Sequence, residues 1–138
     1  TGRTSKRGRQ AAKQLGATLD PRAKGPAAAW IVGFGAGDAN KMLRASALPF
    51  KIGKHYARTF KHLRSIYRAL IAETAKRTLE RGVQLLTAAG LRQRLGTLPR
   101  GITPGSGHLY VVARFMKNDL VLVLGKKGGR WYVVGLGR

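Results

Sequence analysis

The chain has no cysteine and only five carboxylates, Asp20, Asp38, Glu73, Glu80 and Asp119, among its 138 residues. The first absence excludes a disulfide framework and a thiolate zinc site, and it leaves the redox compartment unread. The second argues against the paired acids of a metal-dependent nuclease, because the five are scattered. Glu73 and Glu80 sit among Lys76, Arg77 and Arg81 at helical spacing, which surface ion pairing explains. The HxE and CxxC of a zinc deaminase are also missing. No metal and no cofactor is expected, although three histidines could in principle hold zinc. Long apolar runs are absent too. PAAAWIVGFGAG (26–37) falls short of the ~20 residues a bilayer span needs, is broken by glycine and is followed by Asp38. Its internal position argues against a signal peptide.

What the chain has instead is cation. Twenty-seven Lys and Arg give a formal net charge of +22. A folded chain with that excess repels itself, and a polyanionic partner offsets the cost. Nucleic acid is the first candidate, an anionic membrane surface the second and an acidic protein the third. The length suits one domain with its own core. A start at Thr1 rather than methionine is expected of a processed piece of something longer.

Residues 1–26 are basic, punctuated by glycine and proline and poor in large apolar groups. They are expected to be a linker or arm, with a short helix possible around Arg9–Leu15, ahead of a single domain at 27–138. Asp38 is a candidate N-cap for a short helix ending at Pro49. Apolar residues then recur at spacings of three or four from Ile52 through Tyr56, Phe60, Leu63, Tyr67 and Leu70 to Leu86. This predicts a long amphipathic helix, or two broken near Gly82. TLPRGITPGSG (97–107) reads as a loop. HLYVVARF (108–115), DLVLVLGKK (119–127) and RWYVVGLGR (130–138), with turn signals at Lys117–Asn118 and Gly128–Gly129, predict three antiparallel strands. The expected class is α+β, with N-terminal helices packed on a small C-terminal antiparallel meander.

Two of the three histidines fall in KHYARTFKHLR (54–64). On a helix, Lys51, His55, Arg58 and His62 would stack along one face bordering the buried stripe. Cations around an imidazole disfavour its charged form and a bound phosphate restores it, so such a pair would be poised to accept and donate protons. Metal-free RNA cleavage needs a base for the 2′-OH, an acid for the leaving 5′-oxygen and a cation on the phosphate. His108, which opens the first strand, could face that helix. The alternative is that these histidines only line a phosphate-binding surface. On the sheet, Tyr110, Arg114, Lys126, Lys127 and Trp131 could stack bases and hold backbone; otherwise the aromatics are core. GFGAGDANK (33–41) lacks both the GxGxxG pattern and the Gly-Lys-Ser/Thr ending, and reads as a glycine-rich turn packing Trp30 and Phe34 inward.

In architecture, residues 50–138 resemble the basic, cysteine-free C-terminal nuclease domains of bacterial polymorphic toxins. These are the contact-dependent inhibition, Rhs and colicin-like effectors of the barnase-type ribonuclease group. KHYARTFKH followed by HLYVVARF, DLVLVLGKK and RWYVVGLGR carries the likeness. It implies a toxin domain delivered to a target-cell cytoplasm, cleaving RNA, with tRNA a candidate target, and neutralised by an acidic immunity protein. It also implies that His55, His62, His108, Arg114 and Lys126 supply acid, base and phosphate clamp. The glutamate base of the barnase type has no counterpart, so the implied mechanism rests on histidine, with His55 and His108 the first acid/base candidates and His62 the next. Two rivals remain open: a non-catalytic, cytoplasmic nucleic-acid-binding module of ribosomal or phage type, and a membrane-active domain.

Overall fold

The computed structural model of the chain describes residues 19–74, 83–98, 102, 107–115 and 118–137, and every statement below concerns these. Asp20 opens the path. Its carboxylate accepts hydrogen bonds from the Arg22 amide and guanidinium, starting one 3-10 turn, Pro21–Ala23. Helix α1, Lys24–Ala36, follows directly. Ala23 and Ala27 are buried, so the last residues of the expected arm belong to the folded body. Residues 1–18, with the possible helix at Arg9–Leu15, lie outside the described residues.

The glycine-rich stretch is mostly helix rather than turn. Trp30 and Phe34 are buried as expected, together with Ala27 and Ile31 on the same stripe of α1. Gly33 lets the next helix approach closely, because a Cβ there would stand 3.1 Å from Asp38 O and from Met42 Cγ. Gly37, at φ 71°, ends α1 in the left-handed region. Asp38 then caps α2, Ala39–Arg44, its carboxylate accepting from the Lys41 amide at 3.1 Å. The expected cap is present, but the helix stops at Arg44, and Pro49 lies in a strand.

Residues 46–57 are where the expected helix fails. They form β1, Ser46–Ile52, and β2, His55–Ala57, antiparallel, with Lys51 opposite Tyr56 and Ile52 opposite His55. Gly53, at φ 59°, turns the chain between them. Ile52 and Tyr56 are four apart, which fits a helical stripe, but the chain reverses between them and they face opposite sides of the sheet. Pairing with the C-terminal sheet decides for the strand. Helix α3 is therefore only Phe60–Glu73, started by Thr59, whose hydroxyl accepts from the His62 amide at 3.1 Å. Leu63, Tyr67 and Leu70 of the expected stripe do form its buried face. Residues 75–82 lie outside the described residues, and Leu86 belongs to β3, Gln84–Leu86, ahead of α4, Ala88–Leu95.

The meander is present as β4, Leu109–Phe115, β5, Asn118–Lys127, and β6, Arg130–Gly137. Gly128 and Gly129, at φ 58° and 79°, make its second turn. It is not a separate small sheet, however. The six strands run in the order β2-β1-β6-β5-β4-β3, with β1 parallel to β6 and the other pairs antiparallel. The class is α+β with a mixed sheet larger than expected.

Helices α1, α2 and α3 cover one face, here the inner one, around Trp30, Phe34, Phe50, Tyr67 and Phe115. Edge-on contacts join Trp30 and Phe50 to Tyr67 at 5.7 Å each. On the outer face, Leu91 of α4 packs with Tyr110, Val112 and Val121, covering the β3–β5 end. No helix among the described residues is long and apolar enough to cross a membrane.

One polar link ties the inner layer together. Ser46 Oγ donates to Met42 O at 2.7 Å, which leaves the Tyr67 hydroxyl to donate to Ser46 Oγ at 2.6 Å. Burial holds the Tyr67 phenol well above its usual range, offset only in part by Ser46. Tyr67→Phe should therefore cost about 1–2 kcal/mol in denaturant unfolding, with an unchanged m-value. Unaltered stability would show that the hydroxyl contributes nothing net.

Candidate functional site: a cationic cavity on the outer sheet face

The outer face lacks side chains where β5 and β6 carry Gly125 and Gly135. A Cβ at Gly125 would meet Val134 Cγ2 at 3.1 Å and His108 Cδ2 at 3.4 Å. One at Gly135 would meet Val123 Cβ at 3.2 Å and Lys51 O at 3.3 Å. These two glycines form the floor of a cavity of about 250 Å³. Lys51 and Tyr56 enter it from the β1–β2 hairpin, Lys126 and Lys127 from the end of β5, and His108 from the residue before β4. An adjoining depression shares Pro49 and Tyr56 with it and brings in Arg58. No carboxylate lines either.

The lysines are positioned, not loose. The Lys127 ammonium donates to Leu48 O, tying β5 to β1. Lys126 Nζ lies 5.3 Å from the centroid of the Trp131 ring. His108 is half-buried, and its Nδ1 is enclosed with no hydrogen-bond partner. Burial lowers its pKa from the usual 6.5, so the ring is a neutral base at pH 7. Three of the described acids, the aspartates, act elsewhere. Asp20 bridges Arg22 at 2.8 Å, Asp38 caps α2, and Asp119 stands 3.9 Å from Arg114. The hydrogen bonds from Arg22, helped by the Trp131 indole, hold the Asp20 carboxyl well below the usual carboxylate range. Among the described residues, no group of three or more His, Asp or Glu is placed to hold a metal.

Of the residues picked from sequence, Lys51, His108, Lys126 and Lys127 meet in the cavity, with Arg58 beside it. The others do not join them. The expected helical row of Lys51, His55, Arg58 and His62 does not form, since only His62 is on a helix. Successive strand side chains alternate faces. Tyr56 is in the outer cavity, while Ala57 and Ile52, the partner opposite His55, pack with the inner core. His55 therefore sits exposed on the helix side of the sheet, and exposed His62 is in the first turn of α3 in that same layer. A mechanism sharing one phosphate between His55 and His108 is not assembled. Tyr110 is 0% exposed beneath α4 and cannot stack a base. Arg114 is six residues along β4 from His108, roughly 20 Å at ~3.3 Å per residue. Trp131 is an anchor, its indole N–H donating to Asp20 at 3.1 Å under Lys126. Tyr56, read as part of the buried stripe, is 49% exposed and lines the cavity. The alternation around Gly53 was the signal for it.

No protein-family model matches the chain, and no curated protein matches it. Among solved structures it is similar to a Nostoc punctiforme protein of unknown function with a cystatin-like fold. The TM-score is 0.42 at 15% identity, over 80% of this chain and 82% of that one. It is also similar to a Shewanella frigidimarina protein provisionally assigned as a ketosteroid isomerase. There the TM-score is 0.46 at 14% identity, over 87% and 96%. Scores of this size transfer no residue role and no chemistry.

The buried imidazole has a pH signature. Its folded pKa is below 6.5, so the unfolded chain binds that proton more readily. Stability is then intact above about pH 6.5 and falls as the pH drops toward the folded value. Between about pH 7.5 and about pH 5, wild type should lose more stability than His108→Gln, and a histidine resonance removed by that substitution should titrate below 6.5. Equal losses would place the linkage elsewhere.

Proposed function

We propose that this protein binds nucleic acid, gripping the phosphodiester backbone at the outer-face cavity. The observation that carries this reading is the convergence of Lys51, Lys126 and Lys127 on one carboxylate-free cavity, with Arg58 adjoining. Ammonium and guanidinium groups donate to phosphate oxygens, and each phosphate neutralised releases condensed counterions, which drives binding. A net charge of +22 raises the local concentration of any polyanion and speeds encounter.

A second reading, RNA cleavage without metal, is favoured by one observation: a neutral imidazole, His108, stands beside those lysines. In it, His108 takes the 2′-OH proton, lysine ammonium stabilises the crowded phosphate, and Tyr56 or a lysine protonates the leaving 5′-oxygen. His55 and His62 have no part in it. An acidic protein covering the cavity would block either activity.

Binding should weaken steeply with salt, and Lys51→Gln and Lys126→Gln should each flatten the log–log salt slope by about one. Lys24→Gln, at the start of α1, should leave the slope unchanged. Absence of binding to any polynucleotide in dilute buffer would end the whole reading. For the catalytic version, purified protein is incubated with total RNA in EDTA. Cleavage abolished by His108→Ala is expected, and RNA left intact at catalytic ratios would remove that version alone.

A further inference from the structure

A second cationic depression lies in the helical layer, away from the cavity. Helix α2 contributes Asn40 and Arg44, and α3 contributes Phe60 and Arg64, each pair four residues apart on one helix face. Tyr132 of β6 completes a groove of about 540 Å³, with buried Ser46 and Leu43 beneath. Phe60 is 47% exposed, so its ring is open to a ligand in the groove. Asn40, Arg44 and Arg64 are exposed and Tyr132 is partly so. Among the described residues, no ion pair holds either guanidinium.

We infer that this groove takes an unpaired nucleotide, its base stacked on Phe60 or Tyr132, its phosphate held by Arg44 and Arg64, and Asn40 within reach of the base edge. The inference rests on the nucleic-acid reading above and adds to it the strand state of the partner, which is single-stranded. Guanidinium forks match phosphate geometry, and an amide side chain both donates and accepts, as a base edge requires. Aromatic rings serve any base because every base has a π-face, whereas a duplex keeps its bases stacked on one another. An acidic peptide would use the arginines but leave Phe60, Tyr132 and Asn40 without a role.

The test measures anisotropy of three fluorescent probes at one salt concentration: a short mixed-sequence single strand, the same strand made abasic, and the corresponding duplex. Wild type should prefer the intact strand to the abasic one by about tenfold. Phe60→Ala should remove that preference while leaving the salt slope unchanged, and Arg64→Gln should weaken binding of the intact strand more than that of the duplex. Both positions are exposed, and thermal melts by circular dichroism confirm folding. Equal binding of all three probes overturns the groove but keeps the backbone reading. Binding of none overturns both.

Discussion

The parallel pairing of β1 with β6 is the contact on which the rest depends. It joins Ser46 to Val133 and Lys51 to Gly135 across most of the chain's length. Without it, the C-terminal meander would have an open edge, and residues 46–57 would be at liberty to follow their helical spacing. With it, the sheet grows to six strands and the edge of β6 is satisfied. Lys51 is carried across the glycine floor to the side where His108 and Lys126 already are. So long-range a closure must overcome its loop entropy before it contributes, so this is the part of the fold expected to form late.

The same pairing explains how charge and burial coexist. Large apolar side chains are divided between two layers, α1–α3 on the inner face and α4 on part of the outer one. Among the described residues, that division leaves no helix over the outer surface of β6, β1, β2 and the far end of β5. The cavity is there, and the reason is geometric: glycine at 125 and 135 removes the side chains that would otherwise fill it. Cations gathered at one place repel each other, a repulsion relieved when phosphate comes between them. His108 responds to the same surroundings, with desolvation keeping it uncharged while no anion is near.

Strong local signals were legible in the sequence, and competing ones were not. The meander and its Gly128–Gly129 turn, the Asp38 cap, and the buried Leu63–Tyr67–Leu70 stripe follow from turn chemistry, capping and period. At Ile52–Tyr56, however, the helical period competes with a short hairpin that puts these two residues on opposite faces, and only pairing with the distant β6 decides between them. The helix-face argument for His55 and His62 depended on that choice and fell with it. Lys51 and Arg58 came from that same helical row, and His108, Lys126 and Lys127 from the strands; the sheet rather than a helix brings Lys51, His108, Lys126 and Lys127 to one cavity, with Arg58 beside it. Tyr110 and Trp131 show the limit of reading aromatics by type, since burial beneath α4 and a hydrogen bond to Asp20 are tertiary facts.

The segment that misled the periodicity argument joins the two depressions. Tyr56 lines the cavity, Arg58 the adjoining hollow and Phe60 the groove in the helical layer. Two residues apart in a chain that is extended until Thr59 caps α3, these three side chains mark a path around the exposed β2 edge of the sheet. Tyr56 to Phe60 spans roughly 13 Å at ~3.3 Å per residue, a distance that a flexible single strand can bridge and a stiff duplex cannot follow round an edge. On the proposed reading, backbone held in the cavity and a base held in the groove would be parts of one strand. β2, the outermost strand of the described sheet, is then where the polymer crosses from one face to the other.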